Sequence, residues 1–137
     1  MDYRIDCDGE AVGILTDTGF VPEPAAAALT GVDLLVLESN HDVDWLQSGP
    51  YPYSLKQRIL GRRGHLSNED AAAFARRMAE CGTRYFVLAH LSRENNTPAR
   101  ALQVMETALS DLDVSVEVAP RDELSVCYAP EVIACRR

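Results

Sequence analysis

The stretch Asp33-Leu34-Leu35-Val36-Leu37-Glu38 decides the fold, because it is a continuous apolar run that ends in the polar residues Ser39-Asn40-His41-Asp42. A run without polar alternation is typical of a strand buried on both faces of a sheet. A second such run, Arg84 to Ala89, ends in His90. Helical patterns separate these strands, so the sequence predicts an α/β layer.

The remaining elements are predicted from local signals. The Asp8-Gly9 dipeptide between two short apolar runs predicts a hairpin. Ser67, with Asp70 three residues later, resembles a capping box, and Thr97-Pro98 has the form of a second helix start. The right-handed crossover rule places the two helices that follow on a face of the sheet. Further strands are expected at Val114 to Val118 and Leu124 to Tyr128, and helical turns at Val43 to Leu46 and Ser54 to Leu60.

The chain of 137 residues is expected to form one domain, spanning residues 1–137, and it contains no apolar run long enough to cross a bilayer. We therefore expect a cytoplasmic protein without a membrane partner. The four cysteines form no Cys-x-x-Cys pair, which argues against a zinc ribbon or a redox dithiol, and they are expected to be buried free thiols.

The formal net charge of −8 argues against a protein that coats nucleic acid through bulk electrostatics. It does not exclude a nucleic-acid enzyme whose positive charge is local and partly supplied by metal ions. Lys56, Arg58, Arg62 and Arg63 form one basic cluster, which could present cations to a phosphate chain, although a solvated helix face is the commoner outcome.

Asp17, Glu38 and His90 each follow a predicted strand and are expected along the same sheet edge. Asp17 and His90 are suitable ligands for zinc or manganese. Glu38, with His41 or His65 as its partner, is suited to hold and pass a proton. Backbone N–H groups at the start of the helix after His65, with Ser67 and Asn68, would form an anion site.

Each of these residues also has a structural explanation. Asp17 precedes Thr18-Gly19 and could make a turn, Glu38 and His41 could cap a helix, and Ser67 is explained as an N-cap. A Gly-rich phosphate loop and a Gly-x-Ser-x-Gly elbow are both missing from the sequence, which disfavours a nucleotide-binding P-loop protein and a serine hydrolase.

Five segments closely resemble the C-terminal half of metallo-β-lactamase-fold hydrolases of the YycJ/WalJ type and, more distantly, ribonuclease Z. They are Thr16-Asp17-Thr18-Gly19, Leu34-Leu35-Val36-Leu37-Glu38-Ser39-Asn40-His41-Asp42, Leu55-Lys56-Gln57-Arg58-Ile59-Leu60, Gly64-His65-Leu66-Ser67-Asn68-Glu69-Asp70 and Leu88-Ala89-His90-Leu91-Ser92-Arg93-Glu94-Asn95-Asn96. The resemblance implies half of an αββα sandwich, with a mixed sheet and helices on one face. It also implies two divalent metal ions, zinc or manganese, and a phosphodiesterase reaction on nucleic acid, with DNA exonucleases as the close relatives.

The resemblance also implies roles for individual residues. Asp17 would be the carboxylate that bridges two metals, and His90 the last histidine ligand. Glu38 and His65 would match the proton-relay pair of the ribonuclease Z branch. Substrate or phosphate contacts would come from Ser67, Asn68 and His41.

The resemblance places the family's His-x-His-x-Asp-His ligand motif in an N-terminal half, and residues 1–137 contain three histidines and no copy of that motif. We therefore expect weak metal binding and little or no hydrolase activity from the chain by itself. The sheet face that would pack on the other half is expected to be exposed and apolar. The expected partners are a second copy in a homodimer or an N-terminal half. The alternative is a non-catalytic interaction module that self-associates through this face.

Overall fold

The computed structural model describes residues 1–123 and contains a five-stranded sheet with five helices among those residues. The elements, in chain order, are β1 (Asp2–Cys7), β2 (Glu10–Leu15), α1 (Glu23–Leu29), β3 (Leu34–Glu38), α2 (Val43–Ser48), α3 (Tyr53–Leu60), α4 (Asn68–Glu80), β4 (Tyr85–Ala89), α5 (Pro98–Leu109) and β5 (Ser115–Val118). The predicted order of elements is confirmed as far as β5. The expected strand from Leu124 to Tyr128 lies outside the described residues.

The sheet is mixed and has the order β1-β2-β3-β4-β5. Strands β1 and β2 form an antiparallel hairpin, whereas β2, β3, β4 and β5 run parallel. The hairpin turn places Asp8 at φ 52° and Gly9 at φ 84°. Positive φ at both central residues is the geometry of a tight two-residue hairpin turn, as the Asp-Gly dipeptide predicts.

The core lies between one face of the sheet and the helices α1, α4 and α5. The sheet contributes alternate residues, and the helices contribute their apolar stripes; the buried cluster includes Leu15, Leu35, Leu37, Phe86 and Leu88 from the strands and Leu29, Phe74, Met78 and Met105 from the helices. Burial of these side chains removes apolar surface from water, which is the main favourable contribution to folding. The helices therefore cover one face of the sheet.

The opposite face is apolar and partly exposed, which agrees with the face expected from the resemblance and disagrees with the burial on both faces that the apolar run predicts. Leu34 and Val36 of β3 are only half-buried, although the continuous apolar run predicted burial on both faces. On the same face, Tyr3 is 55% exposed and Ile5 is 57% exposed. The run in β3 is continuous because both faces of the sheet are apolar there. No helix of the described residues packs on the second of these faces.

Side-chain caps define three helix starts. Ser67 Oγ accepts a hydrogen bond from the backbone N–H of Asp70 at 3.0 Å, and Thr97 Oγ1 accepts from that of Arg100 at 3.1 Å. Both caps were predicted. The cap of α2 is Asp42, whose Oδ1 accepts from the N–H of Trp45, rather than Glu38 or His41. A short carboxylate next to the first turn is the better acceptor for these unpaired N–H groups.

The cysteines of the described residues are not buried. Cys7 and Cys81 are exposed, so the expectation of buried thiols is wrong for these two residues; Cys127 and Cys135 lie outside the described residues. None of the helices within residues 1–123 is both long enough and apolar enough to span a bilayer.

Candidate metal centre

Three neighbouring parallel strands deliver the candidate site residues to one edge of the sheet. Glu38 is the last residue of β3, His90 follows β4 directly, and Asp17 lies two residues beyond β2. Parallel strands end at the same edge, and the loops at that edge are the usual position of a site in α/β proteins. The predicted grouping of these three residues is confirmed.

Asp17 and His90 both have left-handed backbone conformations, with φ of 57° and 60°. Residues with a Cβ atom adopt this region at a cost of roughly 1–2 kcal/mol, so the surrounding structure must hold them there. Asn40 supplies this support at His90. Its side-chain Nδ2 donates to the backbone carbonyl of His90 at 2.8 Å, and the backbone carbonyl of Asn40 accepts from the Ser92 N–H at 2.7 Å.

Glu38 connects the half-buried His65 with the exposed His90. Its carboxylate is fully buried, and Oε2 accepts hydrogen bonds from His65 Nδ1 at 2.8 Å and from His90 Nδ1. The two imidazole rings meet edge to face with centroids 5.1 Å apart. When Nδ1–H donates to a carboxylate, the neutral ring presents its Nε2 lone pair away from that carboxylate, which is the tautomer of a metal-binding histidine.

Asp17 completes the group. Its Oδ1 lies 3.5 Å from His90 Nδ1, and one potential ligand atom from each of Asp17, Glu38, His65 and His90 lies within 4.8 Å of all the others. Two imidazoles and two carboxylates form a donor set suited to zinc or manganese. Glu38 Oε1 is buried without a hydrogen-bond partner among residues 1–123. The residues present therefore fit a divalent metal ion.

His41 lies outside this group and is inside the protein. It is 1% exposed, and its Nδ1 lies 3.2 Å from Asn40 Oδ1. Because Asn40 uses its Nδ2 to donate to His90, its Oδ1 must be the acceptor, and His41 must carry its proton on Nδ1. Burial, and next the charge of His65, lower the pKa of His41 to about 4. His41 is therefore neutral at pH 7 and has no surface from which to contact a substrate in this conformation.

Ser67 and Asn68 are also buried, and their side chains are engaged inside the protein. Ser67 Oγ caps α4, whereas Asn68 accepts from Ser39 Oγ at 2.7 Å and exchanges hydrogen bonds with Asn96. The backbone N–H groups of Asn68 and Asp70 donate to the His41 carbonyl and to Ser67. The helix start thus retains fewer donors for an anion than the sequence predicted.

The sequence reasoning missed the residues that support the site. Asn40 and Asn96 are buried, and Asn96 Nδ2 also binds the Ser39 carbonyl at 2.9 Å. Asp42, 1% exposed, accepts from Arg100 Nε at 2.7 Å. Burial by itself would raise the pKa of Asp42, but Arg100 and the Trp45 N–H outweigh it and lower that pKa. Polar residues directly after a buried strand were the available signal, since such positions need hydrogen-bond partners.

The loop that carries Asp17 packs against the turn that precedes His65. The Gly19 N–H donates to the Arg62 carbonyl at 3.1 Å, and a Cβ atom on Gly19 would lie 1.8 Å from the Gly61 oxygen. Only glycine permits this approach of the two backbones. On the other side, a cavity of about 610 Å³ is lined by Asp17 and His90 together with Arg121.

Comparison with known proteins identifies the class to which this arrangement corresponds. The metallo-β-lactamase-fold protein YhfI from Bacillus subtilis superimposes with a TM-score of 0.59 at 19% identity, over 86% of this chain and 40% of that one. Zn²⁺-bound PqqB from Methylobacterium extorquens gives 0.54 at 19% identity, over 93% of this chain and 43% of that one. The described sheet and helices are a partial section of the metallo-β-lactamase fold.

Sequence relatives are more specific. The chain is 42% identical over 116 residues to exodeoxyribonuclease WalJ of Streptococcus pneumoniae serotype 2, covering 85% of this chain and 43% of the relative. It is 37% identical over 111 residues to exodeoxyribonuclease YycJ of Bacillus anthracis, covering 81% and 42%. No protein-family model matches the chain. The resemblance to proteins of the WalJ/YycJ type is confirmed, and the chain spans about two fifths of the length of these curated relatives.

Proposed function

We propose that this chain supplies one wall of the active site of a metal-dependent nuclease that cleaves phosphodiester bonds in DNA. The observation that carries the proposal is the convergence of Asp17, Glu38, His65 and His90, whose potential ligand atoms lie within 4.8 Å of one another. The relatives WalJ and YycJ are exodeoxyribonucleases, which supports DNA as the substrate.

Asp17 and His90 would hold divalent metal, zinc or manganese. When bound, the metal supplies a water with a lowered pKa and neutralises charge on the phosphate. Glu38 fixes both imidazoles through Oε2 and so orients Nε2 of His90 outward. His65, whose Nδ1 is hydrogen-bonded to Glu38, would give a proton to the leaving oxygen from Nε2 when its ring carries a proton on both nitrogens, and the neutral ring that remains would keep the Nδ1–H bond to Glu38.

We assign a supporting role, without substrate contact, to Ser67, Asn68 and His41. Their buried side chains hold the start of α4 and the loop after β3 beside the site. Substrate contacts are then left to exposed residues at the rim.

We further propose that tight metal binding and hydrolysis require ligands that residues 1–137 do not supply. A zinc site wants at least three protein ligands, and Asp17 with His90 provides two when Glu38 and His65 serve as the proton relay. The same proposal includes a cytoplasmic location, and association with an N-terminal half or with a second copy through the open sheet face.

Metal titration of the purified chain by calorimetry tests this assignment. His90→Gln is expected to lower affinity for Zn²⁺ or Mn²⁺ at least tenfold, whereas His65→Gln retains metal binding and loses cleavage in a nuclease assay with manganese in which an N-terminal half is also supplied. His41→Gln is the matched control and should retain affinity within a few-fold. Unchanged metal affinity in His90→Gln would refute the ligand role. Two tightly bound ions in the unmodified chain would refute the need for outside ligands.

The alternative function is a non-catalytic module that self-associates. The open face that includes Tyr3 and Ile5 favours it, because soluble proteins usually cover contiguous apolar surface. Light scattering distinguishes the outcomes: a dimer that dissociates on Ile5→Lys substitution and never binds metal supports the module, whereas a stable monomer of about 15 kDa counts against it.

A further inference from the structure

The basic cluster predicted from the sequence is the part of the surface that the proposed chemistry leaves without a role. Arg58, Arg62 and Arg63 are all exposed, and none of the three forms an ion pair with another described residue. The other arginines within residues 1–123 bind carboxylates or backbone carbonyls through their guanidinium groups; they are Arg4, Arg76, Arg77, Arg84, Arg93, Arg100 and Arg121. In a chain of net charge −8, the uncompensated positive charge of the described residues is thus concentrated in one short segment.

Arg62 has a defined orientation within this cluster. Its guanidinium carbon lies 4.0 Å from the centroid of the Phe20 ring, so the cation rests on an exposed aromatic side chain. Arg62 is an exposed residue, so its side chain stays accessible to solvent while it rests on the ring. Guanidinium planes and aromatic rings are the surfaces on which unpaired bases stack.

The Arg62–Phe20 pair is attached to the candidate metal centre by short backbone segments. Phe20 is three residues from Asp17, and Arg62 is three residues from His65. Since consecutive Cα atoms are 3.8 Å apart, each Cα lies within about 11 Å of that of its site residue. The Gly19–Arg62 backbone hydrogen bond joins the two segments. When the scissile phosphate of a DNA strand lies at the metal centre, the nucleotides next to that phosphate therefore reach the Arg62–Phe20 pair.

We propose that Phe20, Arg58, Arg62 and Arg63 form the surface that binds the single-stranded DNA substrate next to the metal centre. The guanidinium of Arg62, held on Phe20, stacks against one base, and Arg58 and Arg63 contact phosphates. Charge complementarity favours a polyanion here, and the exposed Arg62–Phe20 pair favours an unpaired strand over a duplex. This inference rests on the proposed nuclease function, for which it specifies the form of the substrate.

Binding is measured by fluorescence anisotropy with a labelled single-stranded DNA of about 12 nucleotides, a length within the range covered by single-strand binding domains. The purified chain is used at low salt with a chelator, so that no cleavage occurs. Arg62→Ala is expected to weaken binding roughly tenfold, within the range found for removal of one base-stacking contact. Arg63→Ala should instead reduce the slope of log affinity against log salt by about 0.7, the value for one phosphate neutralised on a single strand.

Two variants separate stacking from charge and from misfolding. Arg62→Lys keeps the charge and the backbone carbonyl that binds Gly19, so the salt slope is expected to stay unchanged while affinity falls several-fold. Arg77→Ala removes an exposed arginine of α4 that is paired with Glu23 of α1, and it is expected to change affinity less than twofold.

Equal affinity in the unmodified chain, Arg62→Ala and Arg77→Ala would overturn the proposal, as would equally tight binding of a duplex that is insensitive to Arg62→Lys. Because the assay contains no metal, it remains informative if the chain hydrolyses nothing. Conversely, His90→Gln with unchanged DNA affinity but no metal binding would separate this surface from the catalytic proposal.

Discussion

Protonation of His41 is expected to destabilise the protein below neutral pH. Burial first, and the charge of His65 second, lower the pKa of this imidazole from its ordinary value of 6.5 to about 4. The unfolded chain therefore binds a proton between these two pH values, and the folded chain does not. Stability is complete above pH 6.5 and falls as the pH decreases toward 4.

The magnitude follows from the two pKa values. A tenfold change in proton affinity corresponds to about 1.4 kcal/mol, so the full difference is about 3 kcal/mol. About 2 kcal/mol of this is expected to be lost by pH 5. That is a large fraction of the net stability of a typical domain, which is about 5–15 kcal/mol.

Urea unfolding at pH 7.5 and pH 5, in a chelator, measures the effect. His41→Gln keeps a donor for Asn40 Oδ1 but cannot titrate, so its stability difference between the two pH values should be smaller by about 2 kcal/mol. The control is His65→Gln, which leaves His41 in place. Its loss of stability between pH 7.5 and pH 5 should be smaller than in the unmodified chain, because the charge of His65 no longer lowers the pKa of His41. The loss should persist, because burial still lowers that pKa. Identical pH dependence in His41→Gln and the unmodified chain would refute the reasoning.

Two further predictions concern the support of the site. Asn40→Ala removes the hydrogen bond that holds His90 in its left-handed conformation, so metal affinity measured by calorimetry is expected to fall 10- to 100-fold, as for other residues that orient a ligand; an unchanged affinity would show that His90 is held by other contacts. Ser67→Ala removes the cap of α4 and should lower the unfolding free energy in urea by about 1 kcal/mol, with Ser110→Ala at the far end of α5 as the control; equal losses in both variants would contradict the capping role.

Local patterns accounted for most of the elements. The Asp-Gly turn, the two predicted N-caps and the apolar runs each act over a few residues, so β1 to β5 and the helices α4 and α5 were predictable. The prediction that β3 is buried on both faces was wrong, because an apolar run records composition and not what packs on each side.

The gathering of Asp17, Glu38 and His90 was likewise predictable, since parallel strands align their ends. Sequence could not show that Glu38 Oε2 binds both His65 and His90. The two histidines are separated by a helix and a strand, and hydrogen-bond geometry at the tenth-of-ångström level depends on how those elements pack. For the same reason, the burial of His41 was not predicted: its neighbours in the sequence are polar residues, which are usually exposed, and only the packing of distant segments encloses it.

The sequence by itself determined the α/β class, the resemblance to one half of a metallo-β-lactamase-fold hydrolase, and the residues able to hold a metal. Only the tertiary structure decided that His65 and His90 share Glu38, which side chains are enclosed, and that Arg62 lies on Phe20 beside the site. Residue type and spacing fix the chemistry available to each segment, whereas burial and contact arise from packing between segments distant in the chain.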